Sequence, residues 1–140
     1  MSSVKSVSRR NWILGGVGAV VAAGSAKALH AWDVKTKTEH DLTVVGQGKP
    51  AVVQIHNTTC PVCRRLKSAL SAALGDRTDV QYRIADMGKP AGRAMAEKYN
   101  TPQTTLLFFD AEGQQRHSHT GLLDADEITA MTDSFLEDIK

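Results

Sequence analysis

The sequence predicts an α/β domain in which a central mixed sheet of about four strands is flanked by helices. The first observation is a nearly continuous apolar run at residues 51–55, which is typical of a strand buried on both faces. The second is a helical repeat directly after it, because apolar residues then recur at every fourth position. The third is the order of the later elements, which are a strand, a helix, two strands joined by a tight turn, and a final helix.

The first 28 residues predict an export segment. Residues 8–14 read SRRNWIL and resemble the twin-arginine export motif. Residues 12–26 form an apolar stretch that four glycines dilute and that is shorter than the roughly 20 residues a spanning helix needs. Ala26-Lys27-Ala28 fits a small-residue cleavage site. We therefore predict a signal peptide at residues 1–28, with an uncleaved membrane anchor as the alternative, and both place the domain in the periplasm.

Residues 29–49 are predicted to form an N-terminal extension or linker ahead of a domain at residues 50–140. Within this extension, residues 32–34 and 42–45 are candidate short strands. Residues 35–39 have the polar composition of a linker. Two glycines and a proline then mark a clear break before the first central strand.

The only two cysteines, Cys60 and Cys63, stand three positions apart where the apolar pattern changes from strand to helix. Thr58 or Thr59 is the candidate helix cap. Pro61 suits the first helical position, because an N–H group there would have no acceptor within the helix. Unpaired N–H groups and the helix dipole stabilise a thiolate, so we expect Cys60 to be the more exposed sulfur with a lowered pKa. Cys63 lies one turn further in, where it can resolve a mixed disulfide, and the pair predicts redox chemistry.

The later elements follow from their periodicity. Residues 80–84 alternate as in a strand, and a helix follows from residue 88 to about residue 99. Residues 105–109 predict the next strand, and residues 114–119 return after a hairpin turn as a polar strand at the sheet edge. A capping box and four inward apolar positions mark the final helix: Asp124, Glu127, Ile128, Met131, Phe135 and Ile139.

This element order, with CxxC between the first core strand and its helix, resembles the thioredoxin fold over roughly residues 44–138. The Cys-Pro-x-Cys form of the motif is more similar to that of glutaredoxins and bacterial periplasmic disulfide oxidoreductases than to that of thioredoxin itself. The resemblance implies a thioredoxin-like protein thiol–disulfide oxidoreductase that needs no cofactor. It also implies that Cys60 is the nucleophile and Cys63 the resolving cysteine.

Three positions depart from the thioredoxin pattern. Gln54 stands where thioredoxins place a buried carboxylate, and an amide cannot act as a base. Thr59 replaces the tryptophan that precedes the motif. Thioredoxins also set a cis-proline against the cysteines, and counting back from the hairpin puts Thr104 at that place. We expect Pro102 to be the functional proline, because it lies in a Thr-Pro pair like that of the family, with Thr104 in a trans peptide as the alternative.

Two further functions compete with the enzyme. A metal-binding carrier would hold Cu(I) on Cys60 and Cys63, with or without His56 as a third ligand. A thioredoxin-like interaction module would keep a disulfide that never turns over. In the enzyme, His56 could tune the thiolate, although a plain packed or surface histidine is the simpler interpretation. Gln54 is expected to satisfy its own hydrogen bonds within the sheet, and we predict no metal site.

The distribution of charge narrows the class of partner. Four of the 17 basic residues and none of the 15 acidic residues lie in residues 1–28. The remainder has 13 basic and 15 acidic residues, a net charge of −2, which argues against nucleic acid as a partner. We expect a monomer that acts on protein disulfides or dithiols. It exchanges electrons with a redox partner, and a membrane-bound protein is one candidate for that partner. Whether it reduces or oxidises its substrates is left open.

Overall fold

The computed structural model describes residues 27–140. The predicted export segment at residues 1–28 therefore lies outside the described residues, apart from its last two, and it stays a prediction. A compact unit comprises Thr38–Lys140, and the predicted division of the chain at residues 28 and 49 also stays a prediction. In the described part of the chain, no helix is both long and apolar enough to cross a membrane.

The secondary structure of the N-terminal extension differs from the prediction. Residues 27–39 are helical, so the strand expected at residues 32–34 and the polar linker after it were wrong. Asp33 and Lys37 support the helix, because their side chains lie one turn apart and form an ion pair of 2.7 Å. Leu42–Val44 form a 3-10 helix rather than a strand. It begins at Asp41, whose carboxylate accepts the Thr43 N–H at 3.0 Å.

Four strands form one mixed sheet, as predicted: β1 (Ala51–His56), β2 (Gln81–Asp86), β3 (Thr105–Phe109) and β4 (Gln115–Thr120). Their spatial order is β2-β1-β3-β4. Strand β1 runs parallel to β2 and antiparallel to β3, and β3 runs antiparallel to β4. The inner position of β1 explains its apolar run, since all six of its residues are buried. Strand β4 is mostly exposed and lies at the edge, as its polar sequence predicts.

Three helices cover the sheet: α1 (Pro61–Leu74), α2 (Pro90–Lys98) and α3 (Ala125–Asp138). Proline occupies the first turn of α1 and of α2. Helix α3 begins with the predicted capping box, in which the Asp124 carboxylate accepts the Glu127 N–H and the Glu127 carboxylate accepts the Asp124 N–H. The predicted order of strands and helices is thus confirmed.

The core has one layer on each face of the sheet. Helices α1 and α3 pack on one face around Leu66, Phe108 and Phe135. Helix α2 packs on the other face, where Val53 and Phe109 lie. Because side chains alternate along a strand, the even-numbered residues of β1 face α1. The β1 face that carries Gln54 and His56 therefore lies beneath the helix that begins at the cysteine pair.

Candidate active site

The cysteine pair lies where β1 gives way to α1. Cys60 is the N-cap of α1, and Pro61 is its first helical residue. Cys60 is partly exposed, whereas Cys63 is fully buried in the first turn of the helix. Both are free thiols in this structure. One sulfur can therefore meet a substrate while the other stays behind it.

The cap itself differs from the expectation that Thr58 or Thr59 would provide it. The sulfur of Cys60 accepts the Cys63 N–H at 3.2 Å and so satisfies a backbone donor at the helix start. The N–H and hydroxyl of Thr59 instead donate to the side-chain oxygen of Asn57, at 3.0 and 2.8 Å. Because the Cys60 sulfur takes the place of a capping oxygen, it accepts a backbone hydrogen bond that favours its negatively charged form.

Hydrogen bonds lower the pKa of Cys60. The largest contribution comes from the Cys63 side chain, and the next from the Cys63 N–H group. Partial burial opposes them, while the Thr104 hydroxyl and the Val62 N–H lower the pKa further. Each of these donors stabilises the thiolate more than the thiol. Cys60 is therefore the sulfur that ionises readily, at the end of the helix where the dipole also favours negative charge.

The two arginines that follow the motif are not bonded to the sulfurs. Arg64 and Arg65 are both exposed. The guanidinium of Arg64 donates to the backbone oxygen of Thr58 at 3.1 Å. The chemistry of Cys60 therefore rests on short-range donors of the loop and helix rather than on an adjacent cation.

Thr104, and not Pro102, faces the cysteines, so the preference for Pro102 is corrected. The Thr104 hydroxyl lies 3.2 Å from the sulfur of Cys63 and 3.9 Å from that of Cys60. Pro102 is exposed two residues earlier in the loop. No peptide bond within residues 27–140 is cis, so Thr104 occupies this place in a trans peptide.

The backbone at residue 104 has a conformation that excludes proline. Its φ angle is +66°, whereas a proline ring holds φ near −65°. The Thr104 N–H also donates to the Ile55 oxygen at 3.1 Å, and proline has no such donor. This bond continues the pairing of β3 with β1, which ends at Ile55 and Thr105. The register of the sheet thus determines which residue meets the sulfurs.

The Gln54 side chain, on the face of β1 that packs against α1, is hydrogen-bonded to the first turn of that helix. Its side-chain nitrogen donates to the Cys63 backbone oxygen at 2.8 Å and lies 3.4 Å from Nδ1 of His56. Its side-chain oxygen accepts the Tyr82 hydroxyl at 3.3 Å. Gln54 is fully buried, and His56 and Tyr82 are nearly so. The expectation that Gln54 only satisfies hydrogen bonds within the sheet is therefore too narrow, because one of them reaches the cysteine helix.

Tyr82 was not identified from the sequence as part of the site. Burial raises its pKa, so the hydroxyl stays protonated and keeps its role as a donor. A signal was present, since an inward-facing tyrosine on a buried strand needs a partner for its hydroxyl. Gln54, on the neighbouring strand and the same face, is such a partner.

His56 is held in a buried setting that favours the neutral ring. Burial is the largest cause that lowers its pKa, with Lys67 and His40 adding to it and Asp86 opposing. Burial also lowers the pKa of His40, whose Nδ1 has no hydrogen-bond partner. Within residues 27–140, no cluster of three or more histidine, cysteine, aspartate or glutamate side chains could hold a metal. The Cu(I) carrier is thus unsupported.

The lowered pKa of His56 predicts a pH-dependent stability. Below about pH 6.5, His56 takes up a proton in the unfolded chain, while the folded protein keeps the ring neutral until a lower pH. The free energy of unfolding should therefore fall as pH is lowered from about 7 to about 5. In the His56→Gln variant this slope should decrease by up to about 1.4 kcal/mol per pH unit. Urea unfolding at fixed pH measures it, and an unchanged slope in the variant contradicts the prediction.

A cysteine pair at the start of helix α1, on a four-stranded mixed sheet with helices on both faces, is typical of a thiol-redox site on a thioredoxin-like fold. The comparison with protein families agrees. The chain belongs to the thioredoxin-like domain family, whose model matches residues 39–136. A comparison with curated protein sequences finds no match.

Solved structures share this fold. A thioredoxin-like protein from Clostridium perfringens is 24% identical with a TM-score of 0.56, over 68% of this chain and 77% of its own. A mutant thioredoxin from Halobacterium salinarum is 23% identical with a TM-score of 0.56, over 66% of this chain and 80% of its own. The thioredoxin from Fasciola hepatica is 19% identical with a TM-score of 0.53, over 68% of this chain and 85% of its own. At these identities the likeness concerns the fold.

Proposed function

We propose that this protein is an exported thiol–disulfide oxidoreductase that exchanges disulfides with protein substrates. The observation that carries the proposal is the position of the two sulfurs: Cys60 is partly exposed and accepts the Cys63 N–H, and Cys63 is buried one turn behind it. A sulfur in this setting ionises more readily than an ordinary thiol and is accessible to a substrate, and its partner is placed to complete the exchange.

In the reducing direction, the Cys60 thiolate attacks one sulfur of a substrate disulfide. The substrate S–S bond breaks, a mixed disulfide forms on Cys60, and the first substrate thiolate leaves and takes up a proton. Cys63 then loses its proton and attacks the Cys60 sulfur, which closes the Cys60–Cys63 disulfide and releases the second substrate thiolate. Two electrons pass from the cysteine pair to the substrate. A dithiol partner restores the reduced pair, and oxidation of a substrate is the same path reversed.

The reduction potential of the pair tests this function. The protein is equilibrated with glutathione redox buffers of increasing oxidised fraction, and the free thiols are counted at each step. The proposal expects a reversible transition that involves both cysteines, together with catalysed reduction of insulin or catalysed oxidation of a dithiol peptide. A pair that never equilibrates with the buffer would instead support an interaction module without turnover.

The compartment is part of the same proposal and rests on the predicted export segment at residues 1–28. Protein disulfides are stable substrates in an oxidising compartment such as the periplasm. The redox partner would act in that compartment, and a membrane-bound dithiol protein is one source of electrons. Cell fractionation that finds the folded domain only in the cytoplasm contradicts the export of the protein.

A further inference from the structure

The Thr104 hydroxyl stands between the two sulfurs. Its oxygen lies 3.2 Å from the sulfur of Cys63 and 3.9 Å from the sulfur of Cys60. A hydroxyl group has one donor hydrogen and two acceptor positions. It can therefore accept a hydrogen bond from one thiol while it donates to the other sulfur, or turn its hydrogen from one sulfur to the other.

The backbone of Thr104 is fixed in an unusual conformation. A φ angle of +66° is rare for a residue that branches at Cβ. Two backbone hydrogen bonds hold it. The Thr104 N–H donates to the Ile55 backbone oxygen at 3.1 Å, and the Thr104 backbone oxygen accepts the Gly121 N–H at 2.9 Å. Such conformations persist where the surroundings determine them, and they occur often at active sites.

The buried thiol of Cys63 needs a group that stabilises its negative charge. Cys63 is fully buried, and a charge that forms away from water needs a hydrogen-bond donor from the protein. Gln54 occupies the place from which thioredoxins supply a carboxylate, and its amide nitrogen is bonded to the Cys63 backbone oxygen. The hydroxyl of Thr104 is in direct contact with the Cys63 sulfur itself. It is therefore placed to act on the second step of the exchange.

We propose that Thr104 is a catalytic residue of the proposed oxidoreductase, whose hydroxyl donates in turn to the sulfur that carries the negative charge. In the reduced pair, the hydroxyl donates to the Cys60 thiolate, which also accepts from the Cys63 thiol. Once Cys60 is bonded to the substrate, its sulfur is neutral, and the hydroxyl turns its hydrogen to Cys63. The Cys63 proton passes to the first substrate thiolate or to water. The Cys63 thiolate then attacks the Cys60 sulfur and releases the second substrate thiolate.

Three variants separate this role from a structural one. Thr104→Val keeps the shape and the branched Cβ of the side chain and removes only the hydroxyl. Thr104→Ser keeps the hydroxyl. Thr101→Val is the matched control, because the Thr101 hydroxyl lies in the same loop and is buried without a hydrogen-bond partner. If Thr104→Val does not fold, Thr104→Ala takes its place in the comparison.

The experiment mixes each reduced protein with an aromatic disulfide whose thiolate products absorb visible light. The first release reports the attack by Cys60, and the second reports resolution by Cys63. We expect the second release to slow about tenfold in Thr104→Val, the factor for loss of one hydrogen bond to a charged sulfur. The ultraviolet thiolate titration of Cys60 should move to higher pH in the same variant. Thr101→Val should match the unsubstituted protein in both measurements, and Thr104→Ser should recover most of what Thr104→Val loses.

The proposal rests on the proposed function, and the two can fail separately. If the unsubstituted protein releases two thiolates but Thr104→Val behaves like Thr101→Val, the role of Thr104 is overturned and the oxidoreductase stands. A change in only one of the two measurements also overturns it, because the hydroxyl must serve both sulfurs. If the unsubstituted protein releases no thiolate, the proposed function fails, and with it the catalytic role of Thr104.

Discussion

Replacement of Cys60 by serine should lower turnover by on the order of 10³-fold or more, because the attacking group of the proposed exchange is lost. A serine hydroxyl does not ionise near neutral pH, whereas several donors hold the pKa of Cys60 below that of an ordinary thiol. Cys63 cannot substitute for Cys60, because it is fully buried and out of reach of a protein disulfide. Catalysed reduction of insulin, or catalysed oxidation of a dithiol peptide, measures the loss.

The fold should survive this substitution, which makes the result interpretable. Cys60 is the N-cap of α1, and serine is among the preferred residues at that position. The serine hydroxyl of the Cys60→Ser variant can accept the Cys63 N–H in place of the sulfur. Urea unfolding should therefore show little change in stability. A Cys60→Ser protein that retained full activity would refute the mechanism.

The matched variant Cys63→Ser should behave in the opposite way. Cys60 still attacks and releases the first substrate thiolate, but no second thiol resolves the mixed disulfide. The aromatic disulfide assay should show one release per protein, and the mixed disulfide should persist until a reductant is added. The serine hydroxyl that replaces the Cys63 thiol keeps Thr104 as a partner, so the variant should fold. Two complete releases would contradict the assignment of Cys63 as the resolving cysteine.

The order of elements could be predicted because each carries a strong periodic signal. The apolar run of β1 and the apolar residue at every fourth position of α1 both result from burial, so the sequence pattern predicts these elements. The helix at residues 27–39 was mistaken for strand and linker, because its exposed apolar and charged residues lack a clear inward face. Periodicity could not predict this helix, because most of its described residues are exposed.

The details of the site depend on long-range geometry that a sequence does not record. Thr104 meets the sulfurs because β3 pairs with β1 in one register, which places residue 104 just beyond the last pair. Pro102 was predicted at this place because it is a proline, although it lies in the exposed part of the loop. The cap was missed because a sulfur took the place that threonine oxygens commonly occupy.

Replacement of Gln54 by leucine should lower the free energy of unfolding by about 2 kcal/mol or more. The substitution leaves three polar groups without their Gln54 contact: the Cys63 oxygen, the Tyr82 hydroxyl and Nδ1 of His56. The Cys63 oxygen keeps its hydrogen bond within α1, so the loss falls mainly on the Tyr82 hydroxyl and Nδ1 of His56. Each buried group left without a partner costs about 1–3 kcal/mol, and the added apolar contact of leucine offsets only part of that cost. Urea unfolding of the reduced protein measures the change.

Two controls show whether the effect comes from the hydrogen bonds. Tyr82→Phe removes one bond to Gln54 and should cost about 1 kcal/mol. Gln54→Glu keeps the shape, and a carboxyl group in this buried place should have a raised pKa. Its protonated form can donate to the Cys63 oxygen and accept from Tyr82, so this variant should be most stable below the ordinary glutamate pKa of about 4.3. Its stability should fall as the pH rises through the raised pKa.

The size of the Gln54→Leu effect distinguishes two roles of this residue. A loss no larger than that of Tyr82→Phe would mean that Gln54 fills space in the core and that α1 does not depend on it. A loss of several kcal/mol would mean that the amide holds the first turn of α1 against β1, through the backbone oxygen of Cys63. In that case the residue that replaces the thioredoxin carboxylate contributes to the positioning of Cys63. Proton transfer from its thiol would then depend on other groups, among which Thr104 contacts the sulfur.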